Sequence, residues 1–258
     1  RIQYASKHAH LGNGWKKWMG VIEGINNFKG IEKKKQFDKE FTDWALKSRQ
    51  RGEYVNLIKD FKEVYTLYEP YRLATTYLSE TALQIEILTY AANFNKLANV
   101  TKETPQEEID EIIAEIKNAT AVFFKDYYQP IDEEVAAMVL QEYINNQPAD
   151  FRPELLNTIV EKYSDVQAYV DELFAKTIFT SEENVNKFLD EFKPSKAKKL
   201  AKDPALMAYN NVMDFYINNV KSKTIELGNQ IADMQRVFMR GQMEYHAERN
   251  PDKMIYPD

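Results

Sequence analysis

Apolar residues recur along most of this chain at intervals of three and four, the spacing of one buried face on an α-helix. Leu11, Trp15, Trp18, Ile22 and Ile25 form the first such stripe and predict a core-facing helix. Phe37 to Arg51 and Glu53 to Tyr68 repeat the period, the second with Tyr54, Leu57, Ile58, Phe61, Val64, Tyr65 and Tyr68 on one broad face. Pro70 interrupts, and Leu73 to Ala98 continues as a long segment, so these stretches make either one kinked helix or an antiparallel pair joined near Glu69-Pro70. Further stripes run through Ile109, Ile112, Ile113, Ile116, Ala119 and Phe123, through Tyr209, Val212, Met213, Tyr216, Ile217 and Val220, and through Ile225, Ile231, Met234, Phe238 and Tyr245. No strand-like alternation of useful length competes, and no fixed repeat period appears. The expected fold is all-α, an irregular multi-helix domain.

Local chemistry marks where the helices begin. Thr104-Pro105-Gln106-Glu107 combines a capping hydroxyl, a proline suited to the first turn and a glutamate placed to close a capping box. Other starts are expected at Asp132 after Pro130, at Pro153, at Thr180 with Glu183 three residues on, and at Asp203-Pro204.

Composition narrows the picture. With 8 Gly and 9 Pro in 258 residues, the chain has too few punctuating residues for a many-stranded β protein. No apolar run approaches the ~18 residues of a membrane-spanning helix. A net charge of −6 disfavours a nucleic-acid surface, and the Lys-rich stretches Lys29 to Lys39 and Lys193 to Lys202 are expected to be solvated linkers. The absence of cysteine excludes disulfides, thiol catalysis and Cys-based zinc sites. Asn-x-Thr at Asn99 and Asn118 is expected to mark ordinary helix ends.

Asn13 is the candidate binding residue. Ala9, Asn13, Gly20 and Gly24 lie in a narrow arc opposite the apolar stripe, so a second backbone or a ligand could approach there and meet an amide. Two readings stay open, a ligand contact and an interhelical hydrogen bond in a small-residue seam. His8, His10 and His246 do not suggest a metal site, because helical residues two apart point about 200° away from each other. The acidic groups Glu107, Glu108, Asp110 and Glu111, and Asp132, Glu133 and Glu134, stand at expected helix N-termini, where carboxylates oppose the positive dipole end. No metal or cofactor is expected.

Tyr4-Ala-Ser, followed by Asn13-Gly-Trp-Lys-Lys-Trp-Met-Gly20, resembles signatures of the bacterial periplasmic serine dipeptidyl-peptidase family. Asp203-Pro204-Ala205, Phe238-Met-Arg-Gly-Gln-Met-Glu244 and Tyr256-Pro-Asp258 resemble three more of its motifs, so the likeness brackets the whole chain. Gly14 departs from the pattern, standing where the family has an aromatic. The resemblance implies that residues 1–258 are the helical cap inserted in a chymotrypsin-like double β-barrel enzyme, with the barrel and its catalytic triad outside this chain. It implies a periplasmic or secreted location, peptides with a free N-terminus and the barrel of the same polypeptide as partners, and Asn13 as a contact to the substrate amine. It leaves open the side-chain preference and whether the parent forms a homodimer. The rival reading is a non-catalytic helical interaction module, for which the aromatic faces would be partner grooves.

Overall fold

A computed structural model describes the backbone of residues 2–249 and the side chains from residue 12 to residue 249. Among the described residues there is no strand, in agreement with the all-α expectation. The chain forms two compact units, Arg1–Tyr68 with Glu226–Asp258, and Glu69–Ile225.

The first unit begins with α1 (Ile2–Asn27) and α2 (Gly30–Ala45). The reversal between them places Lys29 at φ 51°, a left-handed conformation that costs a residue with a Cβ, and a Cβ at Gly30 would lie 3.4 Å from the Ile25 carbonyl oxygen. A 3-10 turn (Arg49–Tyr54) leads into α3 (Leu57–Glu80), which runs through Pro70 as one helix. The alternative of an antiparallel pair at Glu69-Pro70 is therefore not the one adopted. The Lys29 to Lys39 stretch is no linker: apart from Lys29 it belongs to α2, whose charged face includes the Lys34–Asp38 pair.

The core of the first unit is an aromatic cluster drawn from both ends of the sequence. Phe41, Trp44 and Tyr54 pack with Tyr245, and Phe37, Phe61 and Phe238 close around them. Phe41 meets Phe238 edge-on at 5.2 Å, and Trp44 stands perpendicular to Tyr245 at 5.6 Å, geometries that suit the ring quadrupoles. The polar edges of the rings are all engaged. Trp44 Nε1 donates to Glu248 (3.0 Å), Tyr54 Oη to Glu244 (2.9 Å) and Tyr245 Oη to Glu40 (3.0 Å). Arg51 pairs with Glu248 and lies over the Trp44 ring at 4.3 Å.

The second unit carries the larger core. It comprises the C-terminal part of α3, α4 (Glu86–Ala91), α5 (Asn95–Ala98), α6 (Gln106–Phe124), α7 (Gln129–Asn146), α8 (Glu154–Lys162), α9 (Val166–Lys176), α10 (Glu182–Asp190), α11 (Ala197–Leu200) and α12 (Pro204–Phe215). A π-helical turn, Tyr216–Val220, joins α12 to the last helix, α13 (Lys221–Arg249). Ile87, Phe94, Leu97, Ile109, Tyr143, Phe179 and Leu206 are among its fully buried side chains.

The expected long segment Leu73 to Ala98 is broken after Glu80. Thr81 adopts φ −124°, ψ −82°, and a new helix starts at Glu86 whose first amides are taken by a residue 46 positions away. That residue is Asp132: its carboxylate accepts from Glu86 N (2.7 Å) and Ile87 N (2.9 Å). It lies in the first turn of α7, which begins at Gln129, three residues before the expected start. The start at Asp203-Pro204 is as expected, with Asp203 capping Ala205 N at 2.9 Å. Helix α6 begins where expected without the capping box: Thr104 Oγ1 accepts from Thr101 N and makes no cap bond. At α10 the cap is Ser181, one residue after Thr180. Lys193 to Lys202 is partly helical, through a 3-10 turn and α11. Asn99 ends α5, whereas Asn118 lies inside α6 and not at a helix end.

Gly241 and Gly228, both on α13, give opposite predictions for the same substitution. A Cβ at Gly241 would lie 2.7 Å from Phe41 Cζ and 3.1 Å from Tyr54, whereas one at Gly228 would meet nothing within 4 Å. Overpacking costs about 1–3 kcal/mol, and relief of a helical glycine returns about 1 kcal/mol. Gly241→Ala is expected to lower the Tm and Gly228→Ala to raise it slightly, as thermal unfolding of the two variants beside wild type will show.

Burial generates a second prediction. Desolvation pushes the Asp132 carboxyl up to about 6 against the lowering pull of the Glu86 and Ile87 amides. The folded state therefore holds a proton that the unfolded chain has released, and the stability this contributes declines as pH rises from the ordinary carboxylate range through about 6. The wild-type unfolding free energy minus that of Asp132→Asn should fall over this interval, by at most about 3 kcal/mol. Urea titrations of both proteins at several pH values check the slope.

Candidate functional site

The candidate residue from the sequence, Asn13, stands on α1. Its side chain is exposed, and a Cβ built at the neighbouring Gly12, Gly14, Gly20 or Gly24 would meet nothing within 4 Å. The arc is thus open at these glycines, and among the described residues no second helix seals Asn13 into a seam. An exposed amide of this kind offers a carbonyl oxygen as acceptor and an NH2 as donor. Lys16, Lys17 and Glu23 are exposed on the same helix.

The opposite face corrects an expectation. Trp15 and Trp18 are each 64% exposed, and Ile22 and Ile25 about half, so the stripe predicted to face the core buries little in this chain. Met19, Val21, Phe28 and Ile31 extend the exposed apolar surface. The amphipathic period is real, but what it buries against is not fixed by periodicity. Tyr4, Ala5, Ser6, His8, Ala9, His10 and Leu11 lie outside the residues whose side chains are described, as Tyr256-Pro-Asp258 lies outside the described backbone.

No other part of the molecule assembles a reactive constellation among the described residues. Among the described residues no group of three His, Asp or Glu side chains could hold a metal ion. His246 stacks on Phe37 (6.1 Å) and meets Tyr245 edge-on, so its ring is part of the aromatic cluster. Ser48 and Ser181 accept from backbone amides, and Ser79 donates to the Thr76 carbonyl. In the second unit a shallow groove of about 510 Å³ runs between α4 and α6, lined by Thr89, Tyr90, Asn93, Asn118, Val122 and Phe123. Tyr90 stacks on Phe123 at 4.1 Å, and its hydroxyl, pushed up to about 12 by burial, is bonded to Thr120 at 2.7 Å. That hydroxyl is a structural group held neutral.

Glu107 and Glu108 stand in the first turn of α6 and Asp132 in that of α7, as expected, and two buried aspartates also reach beyond their own helices. Asp132 serves α4, a different helix from its own. Asp203 serves two elements, since it accepts from Ala205 N on α12 and from Thr177 Oγ1 (2.7 Å) and Ile178 N (2.9 Å) after α9. Burial raises its carboxyl as well. The Phe238 to Glu244 motif acquires a structural account: Phe238 packs on Phe37, Phe41 and Phe61, Gly241 admits the Phe41 ring, and Glu244 accepts from Tyr54. Sequence reading missed these tethers because they join residues far apart in the chain.

No described helix is long and apolar enough to cross a membrane. The profile of the peptidase S46 family matches residues 1–258. An "Asp/Glu-specific dipeptidyl-peptidase" of Flavobacterium psychrophilum is 27% identical over 260 residues, an alignment covering 100% of this chain and 35% of that protein. A "Dipeptidyl-peptidase 7" of Phocaeicola vulgatus is 29% identical, with 96% of this chain and 34% of that protein covered. A crystal structure of Porphyromonas endodontalis DPP11 aligns with 84% of this chain and 31% of its own, at 21% identity and a TM-score of 0.48. The chain thus spans about a third of the length of the curated relatives it matches.

Proposed function

The chain belongs to the peptidase S46 family, and on that premise we propose that it is the helical cap of a periplasmic serine-type dipeptidyl-peptidase, with the barrel and its triad in the rest of the polypeptide. The cap covers the active-site cleft and closes its end, so that a peptide is held by its free N-terminus and cut after two residues. Asn13 accepts a hydrogen bond from the substrate ammonium through its side-chain oxygen, a charge-assisted contact stronger than a neutral one. The apolar face of α1 rests on the barrel. The observation that carries this reading is the family match along the whole chain, joined to an exposed amide at Asn13 where the family signature has its asparagine.

Serine peptidases need a Ser, His and Asp triad and an oxyanion hole held in hydrogen-bond geometry. No residue of this chain is assigned to either. The isolated chain is therefore expected to be strongly helical by circular dichroism and to release no dipeptide from peptides on which the full-length enzyme acts. Dipeptide release by a rigorously purified fragment would overturn the assignment.

Asn13→Ala in the full-length enzyme separates anchoring from structure. Loss of a hydrogen bond to a charged amine costs roughly 1.5 to 3 kcal/mol, a fall of about ten- to a hundredfold or somewhat more in kcat/KM. The Tm should stay unchanged, because the side chain is exposed in this chain. A variant with normal kinetics and a lowered Tm would identify Asn13 as a structural residue instead.

A further inference from the structure

Two stretches of the chain are rich in lysine, and their surroundings set them apart. Between Lys29 and Lys39 the lysines are interleaved with Glu32 and Asp38, and Lys34 is paired with Asp38. Residues 193–202 hold five lysines and no acidic residue, on a chain whose net charge is −6. The acidic residues that border this second stretch are already engaged. Asp190 pairs with Lys117 (2.5 Å), Glu191 pairs with Lys196 (3.0 Å), and the buried Asp203 carboxylate accepts from the amides of Ile178 and Ala205. Lys193, Lys198, Lys199 and Lys202 are exposed and have no ion-pair partner among the described residues.

These four charges stand on a fixed support. The amides of Lys196, Ala201, Lys202 and Asp203 donate to the carbonyls of Lys193, Ala197, Lys199 and Leu200, so the segment is held by its own backbone. Ala197 and Leu200 are buried in the core of the 69–225 unit. Helix α11 packs against α5, whose one charged residue, Lys96, is paired with Glu115. With Ala197 and Leu200 committed to the core, what the segment presents outward is charge. It contains no arginine to grip a single phosphate in a fork and no aromatic ring to stack a base. Separate point charges on long flexible stems suit a surface of many dispersed anions.

We propose that Lys193, Lys198, Lys199 and Lys202 form a docking patch for an anionic lipid bilayer, held by headgroup phosphates without insertion of side chains into the hydrocarbon. Each lysine near such a surface adds to the attraction, which dies away within a Debye length, about 8 Å at physiological salt. Acidic side chains farther from the bilayer than that are screened, so the local charge decides the contact and not the net charge of the chain. The inference uses charge and burial alone and does not depend on the peptidase reading.

Flotation of the full-length protein with lipid vesicles tests it. Binding is expected to phosphatidylcholine vesicles that contain about 30% phosphatidylglycerol and not to pure phosphatidylcholine, and it should weaken at least about tenfold between about 50 and 500 mM salt. The double variant Lys198→Glu, Lys199→Glu should lose at least about tenfold in affinity, whereas Lys33→Glu, Lys35→Glu on α2 should change it less than about twofold. All four side chains are exposed, so the Tm of both variants should stay at the wild-type value, which verifies that they are folded. Binding to neutral vesicles as tight as to anionic ones would overturn the proposal, and so would anionic binding that survives Lys198→Glu, Lys199→Glu. An affinity for poly-L-glutamate that this variant loses, with none for the vesicles, would make the partner an acidic polypeptide and overturn it equally.

Discussion

The architecture of the 69–225 unit depends on two carboxylates taken out of water. Asp132 and Asp203 are buried, and each holds backbone amides of an element other than its own helix. A buried carboxylate is costly unless its lone pairs are met, and the N–H groups at a helix start are equally costly if they are not. Each residue settles both needs at once. Helix α4, with six residues, is far below the length at which a helix persists alone, so its position against α12 is set by packing and by the Asp132 tether. Around it Tyr90, Phe94, Phe123 and Phe179 interlock, and the core of the unit grows outward from there.

The 1–68 and 226–258 unit uses another device. Its core is small and aromatic, and each buried ring with a polar edge turns that edge outward to a glutamate: Trp44 to Glu248, Tyr54 to Glu244, Tyr245 to Glu40. From the solvent side Arg51 pairs with Glu248 and Arg249 with Glu40, while Arg240 pairs with Glu53 and donates to Tyr54 Oη. The exposed ion pairs alone would add little, but together they fix which edge of each ring faces water. Here the run from Phe238 to Glu244 is part of the packing.

Much of this was legible in the sequence, and the failures have a common origin. Periodicity and the scarcity of Gly and Pro gave the all-α class, and Asp203-Pro204 marked a helix start because that cap is local. The break at Thr81 was hidden because its cause, Asp132, lies elsewhere in the chain. The capping box at Thr104 looked sound, yet the hydroxyl accepts from the amide of Thr101, three residues before it, instead of one three residues after. The stripe of α1 was read correctly as amphipathic and wrongly as buried, since spacing shows that a face is apolar and not what covers it. Asn13 was singled out by small neighbours and by a family signature, and the openness around it could be seen only in three dimensions.

The aromatic core of the first unit joins residues as far apart as Trp44 and Glu248, 204 positions along the chain. During synthesis α2 therefore leaves the ribosome long before its partner on α13 exists. At roughly 5–20 residues per second, the intervening sequence takes on the order of ten to forty seconds to be made. Throughout that interval Phe41, Trp44 and Tyr54 are without the rings that later enclose them, while the 69–225 unit, contiguous in the chain, has all its own pieces in hand. The order of birth is thus written into the topology: the inserted body folds first, and the one that brackets it closes last.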